Sequence, residues 1–152
     1  MVIIFSIILL GLLFLIKPLQ RNIYYLLHIA LVVLSAYYVE HHYFRLPPLQ
    51  IYNPILMYKT FLLFLVFHFV SINIVTIIAY WKDKRSAVRG NWRIPEVQLH
   101  TLELLGGWCG AFLAQKIFHH KNKKKGFQAV FWLIFFFQLS VFVIIIKYLR
   151  II

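Results

Sequence analysis

At 152 residues, 62% hydrophobic and only 13% charged, the chain is too small and too apolar for a soluble domain, which could not hide that much apolar surface. Lipid is the natural solvent for it, and the formal net charge of +12 then implies contact with anionic headgroups or other phosphate-bearing ligands at a membrane surface. The single cysteine, Cys109, excludes an intrachain disulfide.

Met1 to Ile16 is an uncharged apolar run closed by Lys17-Pro18. No positive segment precedes it and no small-x-small cleavage motif follows, so it reads as a signal-anchor helix. At ~1.5 Å per residue it is ~24 Å long, short for a span but workable with snorkelling flanks. The second predicted span is Asn22 to Val39, the third runs from about Pro54 to Trp81, and the last is Phe127 to Tyr148. Glu40 to Asn53 is the loop between the second and third, with Arg45 and a Pro47-Pro48 turn.

Gln98 to Phe118 is long enough to cross but carries Gln98, His100, Glu103 and Gln115, with Gly106-Gly107 in its middle. A buried Glu costs several kcal/mol unless paired or protonated. Lys82, Lys84, Arg85, Arg89 and Arg93 precede the segment, and Lys116, Lys121, Lys123, Lys124 and Lys125 lie at or beyond its end. If it crossed, two basic loops would face opposite sides, against the positive-inside tendency. The expected arrangement is therefore a segment that dips in or lies in the interface, broken at the glycine pair, with both basic loops cytoplasmic. Lys17 and Arg21 then lie inside, and the Glu40–Asn53 loop and both termini lie outside. The fold class expected is an all-α integral membrane protein, with about four transmembrane helices plus a re-entrant or interfacial glycine-broken helical segment (five spans if that segment crosses). With no repeat or linker, residues 1–152 read as one membrane domain. Its first 53 residues supply two spans and the outer loop.

Asn73 to Phe127 holds three of the four acidic residues and most of the Lys and Arg. Asn73, Thr76, Tyr80 and Asp83 step by three, four and three, so they share one helical face, which either lines a cleft or bonds to a neighbouring helix. Packing is the simpler reading. Pro95 suits the first turn of a new helix and Glu96 its positive end. An Arg93–Asp83 or Glu96–Lys84 salt bridge would then lock the preceding loop. The functional reading makes the same residues an anion site, with Arg93 as clamp and Lys84 as point charge.

Glu96, His100 and Glu103 recur at i, i+4 and i+7, a spacing that metal sites use, but three ligands on one short helix are a weak signal and no metal or cofactor is expected. Gly106, Gly107 and Gly110 permit a break or a close helix crossing. His119-His120-Lys121 with Lys123-Lys124-Lys125 is a basic interfacial run that sets topology and grips anionic lipid. Its functional version makes His120 a proton donor or acceptor facing Glu96 or Asp83. His28 and His68 each lie within a span. Counted from the cytoplasmic ends they are ~9 Å and ~20 Å deep, awkward for two axial ligands of one haem, so interhelical hydrogen bonding is expected of each. His41-His42 fall on the outer loop beside Tyr43 and Phe44.

At Asn73, Asp83-Lys84, Ala87, Trp92-Arg93-Ile94-Pro95-Glu96, Leu99, Gly106-Gly107, Gly110-Ala111, His120-Lys121 and Phe127, the chain resembles a bacterial membrane family. It is the one catalogued as domain of unknown function 1294, and the resemblance covers about residues 70–130. The shared pattern is Asn, Asp-Lys ten residues on, Arg-Ile-Pro-Glu, Gly-Gly-x-x-Gly-Ala and His-Lys. Asn122 and Gly126 depart from the Thr and Ser common there. The resemblance implies a bacterial inner-membrane location and promotes Asn73, Asp83, Arg93, Glu96 and His120 over His100 and Glu103. Some relatives resemble fusions to a cold-shock domain, which would link the family to RNA, but this chain lacks an aromatic-and-basic base-reading platform.

The function expected is recognition of an anionic group on a basic cytoplasmic face, foremost a lipid headgroup, through Lys84, Arg93, His120 and Lys121, with Asp83 and Glu96 orienting them. The alternative is an intramembrane enzyme acting on a lipid or isoprenoid phosphate, in which Asp83, Glu96 and His120 share acid–base work. A third reading is an accessory subunit or assembly factor that meets a protein partner or a second copy of itself. A cleft gathering Asp83, Arg93, Glu96 and His120 favours the enzyme, and charges splayed over a flat face favour lipid or RNA.

Overall fold

The computed structural model describes residues 8, 10–12, 22–43 and 54–148, and no strand occurs among them. From Ile23 onward the described residues form, in order, α1 (Ile23–Tyr43), α2 (Pro54–Val88), α3 (Glu96–Leu102), α4 (Trp108–Phe118) and α5 (Lys125–Tyr148), with a π-helical turn, Glu103–Gly107, joining α3 to α4. Two helical stretches, Phe61–Val88 and Lys125–Tyr148, are long and apolar enough to cross a membrane. Most of the first predicted span, residues 44–53 of the predicted Glu40–Asn53 loop with Arg45 and Pro47-Pro48, Lys17, Arg21 and Arg150 lie outside the described residues.

The chain divides into two compact units, Met1–Val75 and Thr76–Ile152, with the boundary inside α2. In the first unit, Asn22 caps α1 by accepting the Tyr24 N–H on its side-chain oxygen at 3.1 Å, satisfying one of the amides a helix start leaves unpaired. Leu10, Val32 and Phe64 form an apolar cluster, with Ile29 and Phe67 packed against it. The depths expected for His28 and His68 require correction. Their rings lie side by side, His28 Nε2 at 3.1 Å from His68 Nδ1, and His28 Nδ1 is 2.9 Å from Ser71 Oγ. Counting from helix ends presumed that both helices end in one plane, whereas α2 continues well past Trp81. Helix α1 likewise runs on to Tyr43, taking His41 out of the expected loop and stacking it on Tyr37 at 5.8 Å between ring centroids.

In the second unit, α2 ends where the Asn91 N–H reaches back to Ser86 O at 3.0 Å, a bond that closes a helix C-terminus. The Gln98–Phe118 segment is broken at the expected place. Gly106 takes φ 105°, which a side chain would resist, and the helix path turns there. Gly107 is required for a different reason: a Cβ on it would lie 2.7 Å from Leu102 O and press into Thr76. The π turn frees carbonyls from the regular ladder, and Gln138 on α5 compensates by donating to Glu103 O at 3.0 Å and Leu104 O at 2.7 Å. Leu99, Leu102, Ala111, Ala114, Phe127, Phe131 and Ile134 make the apolar core around these contacts. The remaining faces of α5 expose Leu133, Phe136, Phe137, Phe142 and Ile144, a composition suited to lipid rather than water.

Candidate functional site

The polar stripe on α2 turns inward. Thr76, Tyr80 and Asp83 are fully buried, with Thr76 against Gly107. Asn73, by contrast, donates to Phe69 O four residues back on its own helix at 2.7 Å.

Asp83 is the hub of a first cluster, and its two oxygens have separate tasks. Oδ1 accepts the Ile94 N–H at 3.0 Å, which fixes the loop before α3, and Oδ2 lies 2.7 Å from His120 Nε2. An ionised carboxylate only accepts, so Nε2 must carry a proton. Nδ1 is then the ring nitrogen not committed to Asp83. The Arg93 guanidinium stands 3.8 Å from Oδ2 with its side chain 52% exposed, so the expected Arg93–Asp83 salt bridge is a long ion pair rather than a hydrogen bond. Lys121 Nζ is 3.6 Å from the same oxygen and is the buried cation of the group, its side chain 5% exposed.

Glu96 pairs differently from expectation. Lys84 does not join it. Lys121 Nζ donates to Glu96 Oε1 at 2.5 Å, and Lys124 Nζ lies 2.8 Å from both Glu96 oxygens. The reason is the loop after α4. His119 and Lys121 adopt left-handed backbone conformations, φ 47° and 67°, which reverse the chain and turn the lysines back over α3. Burial pushes the Glu96 carboxyl up, but the hydrogen bonds and charges of Lys121 and Lys124 outweigh it and hold the group below its usual range. Lys121 therefore joins the two acids, and Asp83, Arg93, Glu96, His120 and Lys121 form one ion-paired group. A pocket of about 580 Å³ opens beside it, lined by Arg93, Glu96, His119, His120, Lys121 and Lys124 among others.

A second network was not legible in the spacing. Glu103, fully buried on the π turn, accepts a hydrogen bond from the Tyr80 hydroxyl on one oxygen and from His100 Nδ1 at 2.7 Å on the other. Gln115 Nε2 reaches the Tyr80 oxygen at 3.3 Å, and Gln128 Nε2 donates to Gln115 Oε1 at 2.6 Å and to Lys121 O at 3.1 Å. These bonds answer the cost of burying Glu103, Tyr80 and Gln115. They also end on the backbone of Lys121, so the kinked segment and the charged loop are braced together. The i, i+3 spacing of His100 and Glu103 was the one signal for this pair; the glutamines carried none. Glu96 turns to the lysines while His100 and Glu103 pair with each other, so the three do not converge, and no group of three metal-ligating side chains occurs among the described residues. Gly110 is buried on α4, as close packing requires.

Residues 73–127 match the family described as "Protein of unknown function (DUF1294)", the stretch that contains Asp83, the kinked segment and most of the charged loop. No curated protein and no solved structure matches the chain.

Proposed function

We propose that this is a small multi-pass protein of a bacterial inner membrane whose basic cytoplasmic pocket binds the phosphate of an anionic lipid headgroup. In this reading the two long apolar stretches, α1 and the N-terminal apolar run supply four spans. The segment α3–π–α4 re-enters or lies in the interface, both basic loops face the cytoplasm, and both termini lie outside. The carrying observation is the pocket, where Arg93, Lys121 and Lys124 converge with two histidines beside a single lining carboxylate. Arg93 is the half-exposed cation suited to reach a headgroup, and Lys121 the buried one. Lys84 stands apart from the ion pairs and contributes charge to the face rather than to the seat.

The test is native mass spectrometry of the full chain released from membranes. Phosphatidylglycerol or phosphatidic acid retained by the wild type, and lost from Arg93→Gln, supports the reading. Retention of phosphatidylcholine alone, or RNA outcompeting lipid, overturns it.

A second reading has its own observation. Asp83, Arg93, Glu96 and His120 are gathered rather than splayed, and Asp83 holds His120 at 2.7 Å in the manner of a base oriented by a buried carboxylate. This favours an enzyme on a lipid or isoprenoid phosphate, with His120 moving the proton. Release of phosphate from such a substrate by the wild type, abolished in His120→Gln, is its measurement.

A further inference from the structure

We infer that the Glu96 carboxylate occupies the seat of the ligand's phosphate and is displaced by it, and that the ligand is a dianionic phosphomonoester. The inference rests on the phosphate-binding reading above and names the anion that fits it.

The geometry is that of an anion already bound. Lys124 Nζ is 2.8 Å from both Glu96 oxygens, and Lys121 Nζ closes on Oε1 at 2.5 Å, so two ammonium groups hold one two-oxygen face. That face lines the pocket with Arg93 and His120. Lys121 cannot be left without an anion, because its side chain is 5% exposed and an uncompensated buried charge is strongly unfavourable. Asp83, 3.6 Å away, shares its charge with His120 and Ile94 and makes no hydrogen bond to Lys121, so Glu96 gives that ammonium its one short contact. A carboxylate that keeps Lys121 paired until another anion arrives solves this.

Glu96 is also built to leave. It is the first residue of a seven-residue helix, follows Pro95, and its side chain is 34% exposed, so rotation carries the carboxylate into water without moving the helix. Asp83, by contrast, is fully buried and stays. The charges then select the ligand. When Glu96 withdraws, Lys121 and Lys124 present two positive charges to the vacated seat, with Arg93 at its edge. A phosphodiester brings one negative charge; a phosphomonoester approaches two at neutral pH and offers three terminal oxygens. A phosphodiester, with one charge and two free oxygens, only replaces what Glu96 gave, whereas the monoester adds the charge that matches the second ammonium and a third oxygen for Arg93.

The experiment titrates the full chain in detergent with short-chain phosphatidic acid, phosphatidylglycerol and phosphatidylcholine, and separately with glycerol 3-phosphate, with binding measured by isothermal titration calorimetry. The wild type is expected to prefer phosphatidic acid. Glu96→Gln, which removes the competing charge, is expected to tighten that binding by about fivefold, the factor of one partly exposed ion pair. Glu96→Asp, one methylene shorter, shifts the same way by less and serves if the glutamine variant does not fold. Lys124→Gln weakens binding. Wild-type binding that is unchanged or weakened in both Glu96 variants overturns the displacement, and equal affinity for phosphatidic acid and phosphatidylglycerol overturns the ligand class. Each leaves lipid-phosphate binding standing. No binding of any anionic lipid, in wild type or variant, removes the underlying reading itself. Glycerol 3-phosphate binding as tightly as phosphatidic acid assigns the seat to a soluble phosphomonoester and overturns the lipid as its source.

Discussion

Replacing Asp83 by Asn probes the charged group at its hub, because the substitution keeps shape and removes one charge. In the wild type Oδ1 serves Ile94 and Oδ2 serves His120. An amide retains one acceptor, so either the Ile94 N–H or the protonated Nε2 of His120 must face an NH2 group. A lost charge-assisted bond of this kind costs about 1.5–3 kcal/mol. Arg93, at 3.8 Å and 52% exposed, adds less than about 1 kcal/mol. Lys121 is not orphaned, since Glu96 remains 2.5 Å away. The expected loss is therefore about 2–3 kcal/mol, below the ~3–5 kcal/mol of a buried pair broken outright. Equilibrium unfolding of the full chain in mixed detergent micelles, followed by far-ultraviolet circular dichroism, measures it. A double-mutant cycle with His120→Asn should return a coupling above about 1 kcal/mol, and one with Arg93→Gln a coupling under about 0.5 kcal/mol. The reasoning is refuted if Asp83→Asn lies within about 0.5 kcal/mol of wild type, or if the arginine cycle exceeds the histidine cycle.

Gly107→Ala should destabilise by about 1–3 kcal/mol in the same titration, through the Leu102 O and Thr76 contacts. Adding Thr76→Ala should recover only part of the loss, because the backbone oxygen cannot withdraw, and full recovery would place the whole conflict on the threonine. Glu96 gives a pH dependence with a definite sign. Its carboxyl is held below the ordinary 4.5, so its stabilisation is complete above that value and lost as pH falls through the folded one. The wild type should therefore unfold at higher denaturing detergent than Glu96→Gln at neutral pH, and the gap should close in acid. A gap independent of pH would mean that the ion pairs carry none of it.

Long apolar runs made α2 and α5 legible, and Gly106-Gly107 marked the kink, because hydrophobic length and glycine freedom are local properties. The polar residues that would gather near Asp83 were legible as a set from their concentration in one block. The Arg93–Asp83 pair and a His120 facing Asp83 were among the expected contacts, but the partners of Glu96 were not. Glu96 meets Lys121 and Lys124 rather than Lys84 because two residues after α4 take left-handed backbone conformations, and nothing in His119 or Lys121 announces that. The interhelical hydrogen bonding expected of His28 and His68 is present, but their relative depth was misjudged, since the register of two helices is a tertiary property. Glu103 was undervalued because its partner Tyr80, and the Gln115 and Gln128 that extend the network beyond Tyr80, come from three different helices, and a buried acid can be recognised as satisfied only when they are assembled.

His119 and Lys121 bear one more consequence. Each holds a side chain where glycine would be the easier fit, at roughly 1–2 kcal/mol apiece. Glycine in place of His119 would relieve strain and discard an imidazole of the pocket, whereas glycine in place of Lys121 would also strip Asp83 and Glu96 of the buried ammonium that pairs them. At His119 backbone ease and pocket chemistry therefore make opposing demands, while at Lys121 the strain is offset by ion pairs that serve both the loop and the pocket.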